Sequence, residues 1–124
     1  MAILLHITYQ NEWTLALENS QYVAPSLETE GFIHCSTFAQ VVKTANLFFN
    51  GQDGLVILAI DEERLTAPVR YENPTYLDDP NAGQEFPHIY GPINTDAVVH
   101  VVELAAGRDG QFSLPSELEA LRGG

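Results

Sequence analysis

The run LVILAI, Leu55 to Ile60, constrains this chain most, because it is apolar at every position. Side chains of a strand alternate between two faces, so an unbroken apolar run needs both faces covered. Such a strand belongs at the centre of a sheet with layers packed on each side. The surrounding elements must supply those layers.

The order of elements mixes strand and helix. Ile3 to Thr8 reads as a first strand, with Leu4, His6 and Thr8 on one face and Leu5 and Ile7 on the other. Asn11 can cap a short helix carrying Trp13, Leu15 and Ala16 to about Glu18, and Tyr22 and Val23 form a brief extended piece before Pro25 and Ser26. Phe32 to Cys35 reads as a strand. Thr37, followed three residues later by Gln40, reads as a capping box that opens a helix from Phe38 to about Phe49, with Phe38, Val41, Val42, Ala45, Phe48 and Phe49 on one side. Asn50-Gly51 ends that helix. Val69 to Glu72 and Ala97 to Leu104 are further strands, and Pro115 and Ser116 open a short helix to about Leu121. Between Glu72 and Pro87 lies a long loop of lid or binding-loop length, in which Asp78 and Asp79 read as a solvated turn. Strands paired locally and also separated by helices indicate an α+β domain rather than a doubly wound sheet. A chain of 124 residues is expected to form one domain, with a core over about residues 3–104 and an extension over 105–124.

Chemistry gathers in three segments. EGFIHCST, Glu30 to Thr37, places His34, Cys35, Ser36 and Thr37 where a strand gives way to a helix. A helix N-terminus presents backbone N–H groups and partial positive charge, which suits an anionic ligand. Simple capping around a satisfied core histidine fits the same residues. EFPHIYGPI, Glu85 to Ile93, sets His88 and Tyr90 among Pro87, Gly91 and Pro92, whose restricted or permissive backbone aims the two side chains. His6 is the third histidine of interest, while His100 in AVVHVVEL reads as a structural strand residue. Cys35 points away from His34 on a strand and so lacks an activating base there; it reads as a small buried hydrophobe.

Charge excludes whole classes of partner. Seventeen acidic residues against five basic ones give a formal net charge of −12. Nonspecific nucleic-acid binding needs Lys and Arg to neutralise phosphates, and anionic membranes need the same, so neither partner is expected. Arg70 and Lys43 are the natural cations for a small phosphate-bearing ligand. The sequence carries no long apolar span and no signal-peptide pattern, so a cytoplasmic location is expected. One cysteine allows no intramolecular disulfide. GxGxxG, the P-loop, GxSxG and HExxH are all missing, and His6, His34 and His88 follow no recognised metal-ligand spacing, so no metal is expected.

From Leu4 to Leu104 the motifs HIT, Trp13, SLETEGFIHCST, NLFFNG, LVILAID, VRYEN and FPHIYGPI together resemble the domain of unknown function 952 family of small bacterial proteins. Members of that family resemble the ADP-ribosyltransferase fold, a split, mainly antiparallel sheet with flanking helices and a cleft that in enzymatic relatives holds NAD. What the resemblance implies is that His6 and Thr8 match the first-strand histidine-x-threonine, His34 and Ser36 the second motif, and His88 the third. The enzymatic relatives commonly carry a catalytic glutamate on the third motif, and a neutral histidine supplies no negative charge to a ribosyl cation. Glu72 and Glu85 are the nearby substitutes. The leading expectation is therefore a cleft for NAD or a related ribosyl nucleotide serving ADP-ribosyl or phosphoribosyl transfer or hydrolysis. In it His34, His88 and Tyr90 are catalytic, and His6, Thr8, Ser36, Thr37 and Arg70 bind the ligand. The alternative is a non-catalytic binding module for a small molecule or a protein on the same fold.

Overall fold

The structure is a computed structural model, and it describes residues 2–73 and 84–122. It is α+β, with antiparallel sheets and flanking helices. Strand β4, Leu55–Asp61, is buried at every residue and lies between β1, Ile3–Tyr9, and β8, Val98–Leu104. The apolar run therefore sits where its pattern requires. Val56, Leu58 and Ile60 enter one hydrophobic core with Leu4, Trp13, Ile33, Ile89 and Ile93. Leu55, Ile57 and Ala59 enter a second core with Leu5, Ile7, Val41, Ala45, Val102 and Leu118. One strand thus serves both layers.

Two further strand groups complete the frame. Strands β3, Ile33–His34, β6, Phe86–Ile89, and β5, Val69–Glu72, form a second three-stranded sheet in that order. Strands β2, Gln21–Tyr22, and β7, Ile93–Asn94, form a short pair. The two larger sheets are joined at one bridge, where Leu5 and Ser36 exchange backbone hydrogen bonds of 2.8 and 2.7 Å. Beyond that bridge, the edge of β1 from His6 to Tyr9 makes no ladder with β3. The split opens the cleft described below.

The helices differ in detail from the sequence reading. Helix α1 runs Gln10–Asn19, and Tyr9 rather than Asn11 holds the cap position. The chain from Pro25 to Glu30 forms a helix, α2, a stretch to which the sequence reading assigned no element. Pro25 at its first turn has no N–H to waste, and Gly31 at φ 88° closes it with its N–H bonded to Ser26 and Leu27 carbonyls. The capping-box helix begins later than expected: α3 spans Val41–Phe48. The Gln40 side chain folds back to accept the Thr37 N–H, so residues 38–40 are taken up by the turn. Phe48, placed on the buried side by periodicity, is exposed. Helix α4, Ser116–Arg122, and Phe112 before it send Leu118 and Phe112 into the second core, so the packed interior extends past Leu104. The greater part of the long loop, including Asp78 and Asp79, lies outside the described residues.

Candidate functional site

A cleft of about 470 Å³ opens at the split between β1 and β3. That size falls in the ~300–1,000 Å³ range of ordinary small-molecule sites. Strand β1 contributes His6 and Thr8, β2 contributes Tyr22, α2 contributes Glu30, and the segment after β3 contributes Ser36. His34 closes the group at the mouth, and Phe48, Phe49 and Phe86 form apolar walls. The motifs HIT and EGFIHCST therefore meet in space.

The floor is a fixed hydrogen-bond chain. His6 Nδ1 lies 2.6 Å from the His34 carbonyl oxygen, and His6 Nε2 lies 2.9 Å from the Tyr22 hydroxyl, which is itself 2.9 Å from Thr8 Oγ1. A carbonyl only accepts, so Nδ1 carries the proton. Burial pushes the His6 pKa down to about 4, which keeps the ring neutral and makes Nε2 an acceptor. Tyr22, whose pKa burial raises to about 12, then donates to Nε2 and accepts from Thr8. Every polar atom of this trio has a partner.

At the mouth, His34 Nε2 is 3.1 Å from Glu30 Oε2, and both side chains remain partly open to solvent. The α2 helix, the Gly31 turn and the first residues of β3 set that spacing of four residues. Ser36 is buried, with its hydroxyl 3.4 Å from Thr44 Oγ1. Thr37 stands just outside the cleft lining among the described residues, its N–H committed to Gln40.

A second cluster backs onto the first. The register pairs His34 with His88 and His88 with Arg70, which puts all three on one face of the second sheet. The His34 and His88 rings are 5.4 Å apart, and Phe32 stacks on His88 at 4.1 Å. His88 is almost wholly enclosed, and burial lowers its pKa; its Nδ1 donates to Glu72 Oε1 at 3.0 Å. Tyr90 donates to the same oxygen in a short hydrogen bond. Those two donors, Tyr90 first, hold the Glu72 carboxyl below its ordinary pKa, and the same bond raises that of Tyr90. Arg70 lies over the Tyr90 ring, 5.2 Å from its centre. His88, Tyr90 and Arg70 thus come together with one another and touch the cleft group through His34. They are not among its described lining residues.

Two lining groups escaped the sequence reading. Tyr22 was an isolated aromatic residue between short elements, and only the β2–β7 pairing turns its hydroxyl beneath His6. Glu30 stood at the head of EGFIHCST, four residues before His34, and that spacing was its available signal. Cys35 is buried, and burial pushes its thiol pKa up, away from nucleophilic use. Among the described residues, no three His, Cys, Asp or Glu side chains are grouped to hold a metal ion, and no helix is long and apolar enough to cross a membrane.

A family described as "Protein of unknown function (DUF952)" has a sequence model that matches residues 7–101. The chain belongs to this family. No curated protein matches it. The crystal structure of protein CC0527 from Caulobacter crescentus is similar, with a TM-score of 0.80 and 28% identity over 95% of this chain and 99% of that one. A double-methionine variant of CC0527 gives the same values. The solution NMR structure of CC0527 gives a TM-score of 0.78 and 29% identity over 97% of this chain and 99% of that one. The family match takes in the segments carrying Thr8, Tyr22, Glu30, His34 and His88, while His6 lies one residue before it.

Proposed function

We propose that the cleft at the β1–β3 split binds the ribosyl part of NAD or a related nucleotide and acts on its glycosidic bond, in the manner of an ADP-ribosyltransferase-like fold. The observation that carries this reading is the convergence of His6, Thr8, Tyr22, Glu30, His34 and Ser36 on one small-molecule-sized cleft. The first-strand and second-strand motifs that the fold resemblance assigns to such a ligand are the ones that line it.

The carboxylate missing from the third motif has a substitute at the mouth. When the bond from C1′ to the base nitrogen breaks, its electron pair leaves with the base and positive charge develops on the ribose. Glu30 supplies negative charge to that transition state. Water or another acceptor then bonds to C1′ and releases its proton to Glu30 or His34, the two proton-accepting side chains paired at the mouth. His6, Tyr22 and Thr8, bonded to one another, form the fixed floor against which the ligand lies. This moves the reacting role from His88 and Tyr90 to Glu30 and His34; His88 and Tyr90, through Glu72, hold the surface against which His34 packs.

The reading is tested by following nicotinamide release from NAD and from smaller nicotinamide nucleotides, with Glu30→Gln and His34→Ala alongside. Turnover is expected to fall by about 10²-fold in Glu30→Gln while ligand affinity changes little. Equal turnover in all three proteins would refute it. A non-catalytic binding module is the second reading, favoured by the saturation of His6, Tyr22 and Thr8 with protein partners. Saturable binding with no release would select it.

A further inference from the structure

We infer that the His6 side chain is a wedge: it holds the sheet split and the cleft open by occupying the carbonyl to which the ladder between β1 and β3 would otherwise run on. This role is set by the two strands alone and holds whatever ligand fills the cleft, so it stands apart from the ribosyl reading above.

The bridge at Leu5 fixes what the strands would do without the wedge. Leu5 N–H donates to the Ser36 carbonyl at 2.8 Å, and Ser36 N–H donates to the Leu5 carbonyl at 2.7 Å. In an antiparallel ladder such doubly bonded pairs recur at every second residue. The next pair is therefore Ile7 with His34. Both residues turn the right backbone groups to this side. Cys35 sends its N–H across to the Pro87 carbonyl of β6, so the groups of His34 face β1; those of Leu5 face β3, and those of Ile7 follow by alternation. An unpaired buried backbone group is costly, which favours continuing a ladder whose partners are in register. Yet among the described residues the pairing of β1 with this sheet ends at the one bridge.

The His6 ring stands in the place of the missing pair. Its Nδ1 donates to the His34 carbonyl at 2.6 Å, the oxygen that the Ile7 N–H would meet. A carbonyl oxygen has two lone pairs, so the exclusion comes from bulk: with the ring against this oxygen, the two backbones cannot close to ladder spacing. The ring is also tethered from behind. Its Nε2 lies 2.9 Å from the Tyr22 hydroxyl, which is bonded in turn to Thr8. The wedge leaves the Ile7 N–H and carbonyl and the Tyr9 N–H on an open strand edge. Both residues line the cleft, so these are backbone groups that a ligand can meet there.

Amide hydrogen exchange followed by NMR on the intact protein tests this, with His6→Val and His6→Gln beside the native chain. Valine suits a strand and is too short to reach the His34 carbonyl, whereas glutamine keeps an N–H for it. In the native protein the Ile7 amide should be less protected, by about tenfold or more, than the amides of His6 and Thr8, which face β4. In His6→Val the ladder should gain the Ile7–His34 pair: protection of both amides rises by about tenfold or more, and a cross-strand contact appears between their amide protons. His6→Gln should keep the native pattern. A merely structural loss moves the readout the other way, since a destabilised strand exchanges faster at every amide. An Ile7 amide as protected in the native protein as its two neighbours would overturn the inference with no variant needed. So would a folded His6→Val protein in which Ile7 gains no protection, or a His6→Gln protein that gains as much as His6→Val.

Discussion

Replacing His6 by glutamine isolates the contribution of one buried imidazole to stability. A glutamine side chain keeps one donor and one acceptor, so it can still meet the His34 carbonyl and the Tyr22 hydroxyl, but it cannot take up a proton. In the native protein, burial holds the His6 pKa at about 4 against 6.5 for the unfolded chain. The folded state therefore binds fewer protons than the unfolded state between those values, and stability falls as pH falls through that window. Linkage makes the loss about 2 kcal/mol between pH 7 and pH 5, rising to about 3 kcal/mol near pH 4. The working range stops at pH 5, because the sequence pI is about 4.4 and solubility is poorest there. Urea melts of the native protein and of His6→Gln at several pH values give the quantity needed, since the carboxylates common to both cancel in the difference. The native protein should lose about 2 kcal/mol more than the variant between pH 7 and pH 5. A difference that stays constant with pH would refute the assignment of a buried neutral His6.

Three further outcomes follow from the same contacts. Tyr22→Phe strips the hydroxyl between His6 and Thr8, leaves a buried imidazole acceptor unmet, and should destabilise by about 1–3 kcal/mol in a urea melt. Gly91→Ala would place a Cβ 2.8 Å from the Ala67 Cβ, which belongs to a side chain too short to swing aside, and should cost about 1–3 kcal/mol in the same assay. Cys35 should react with a thiol reagent at least about 100-fold more slowly in the native protein than after unfolding, since burial both shields it and raises its pKa.

The parts of the fold that were legible in the sequence are those written locally. A short unbroken apolar run rich in Val and Ile reads as a strand covered on both faces, and Leu55–Asp61 is one, at the centre of its sheet. The alternation in Ile3 to Thr8 correctly separates Leu5 and Ile7 from Leu4, with His6 and Thr8 on the face that meets Tyr22. Helix α2 was missed because six residues are too few to show a period, although Pro25 and Gly31 mark its two ends. The start of α3 was misplaced because Gln40 satisfies the Thr37 N–H from within a turn, which the same pair of residues does not distinguish from a capped helix. The site was less legible, since a cleft at a sheet split depends on which strands fail to pair. His34 stands beside His88 because of a register between strands more than fifty residues apart, and register is not a local property. Glu30 enters the site only because α2 turns it back toward His34.

The central claim is that the β1–β3 cleft is where a ribosyl ligand binds. Side-chain NMR of the four histidines during titration with nicotinamide riboside tests it most directly, because His100 is exposed on β8 outside the described cleft lining and serves as an internal control. Saturable shifts of His34 and His6, a smaller one at His88 and a stationary His100 are the predicted result. Stationary His6 and His34 signals at millimolar ligand, or a shift confined to His100, would contradict the account.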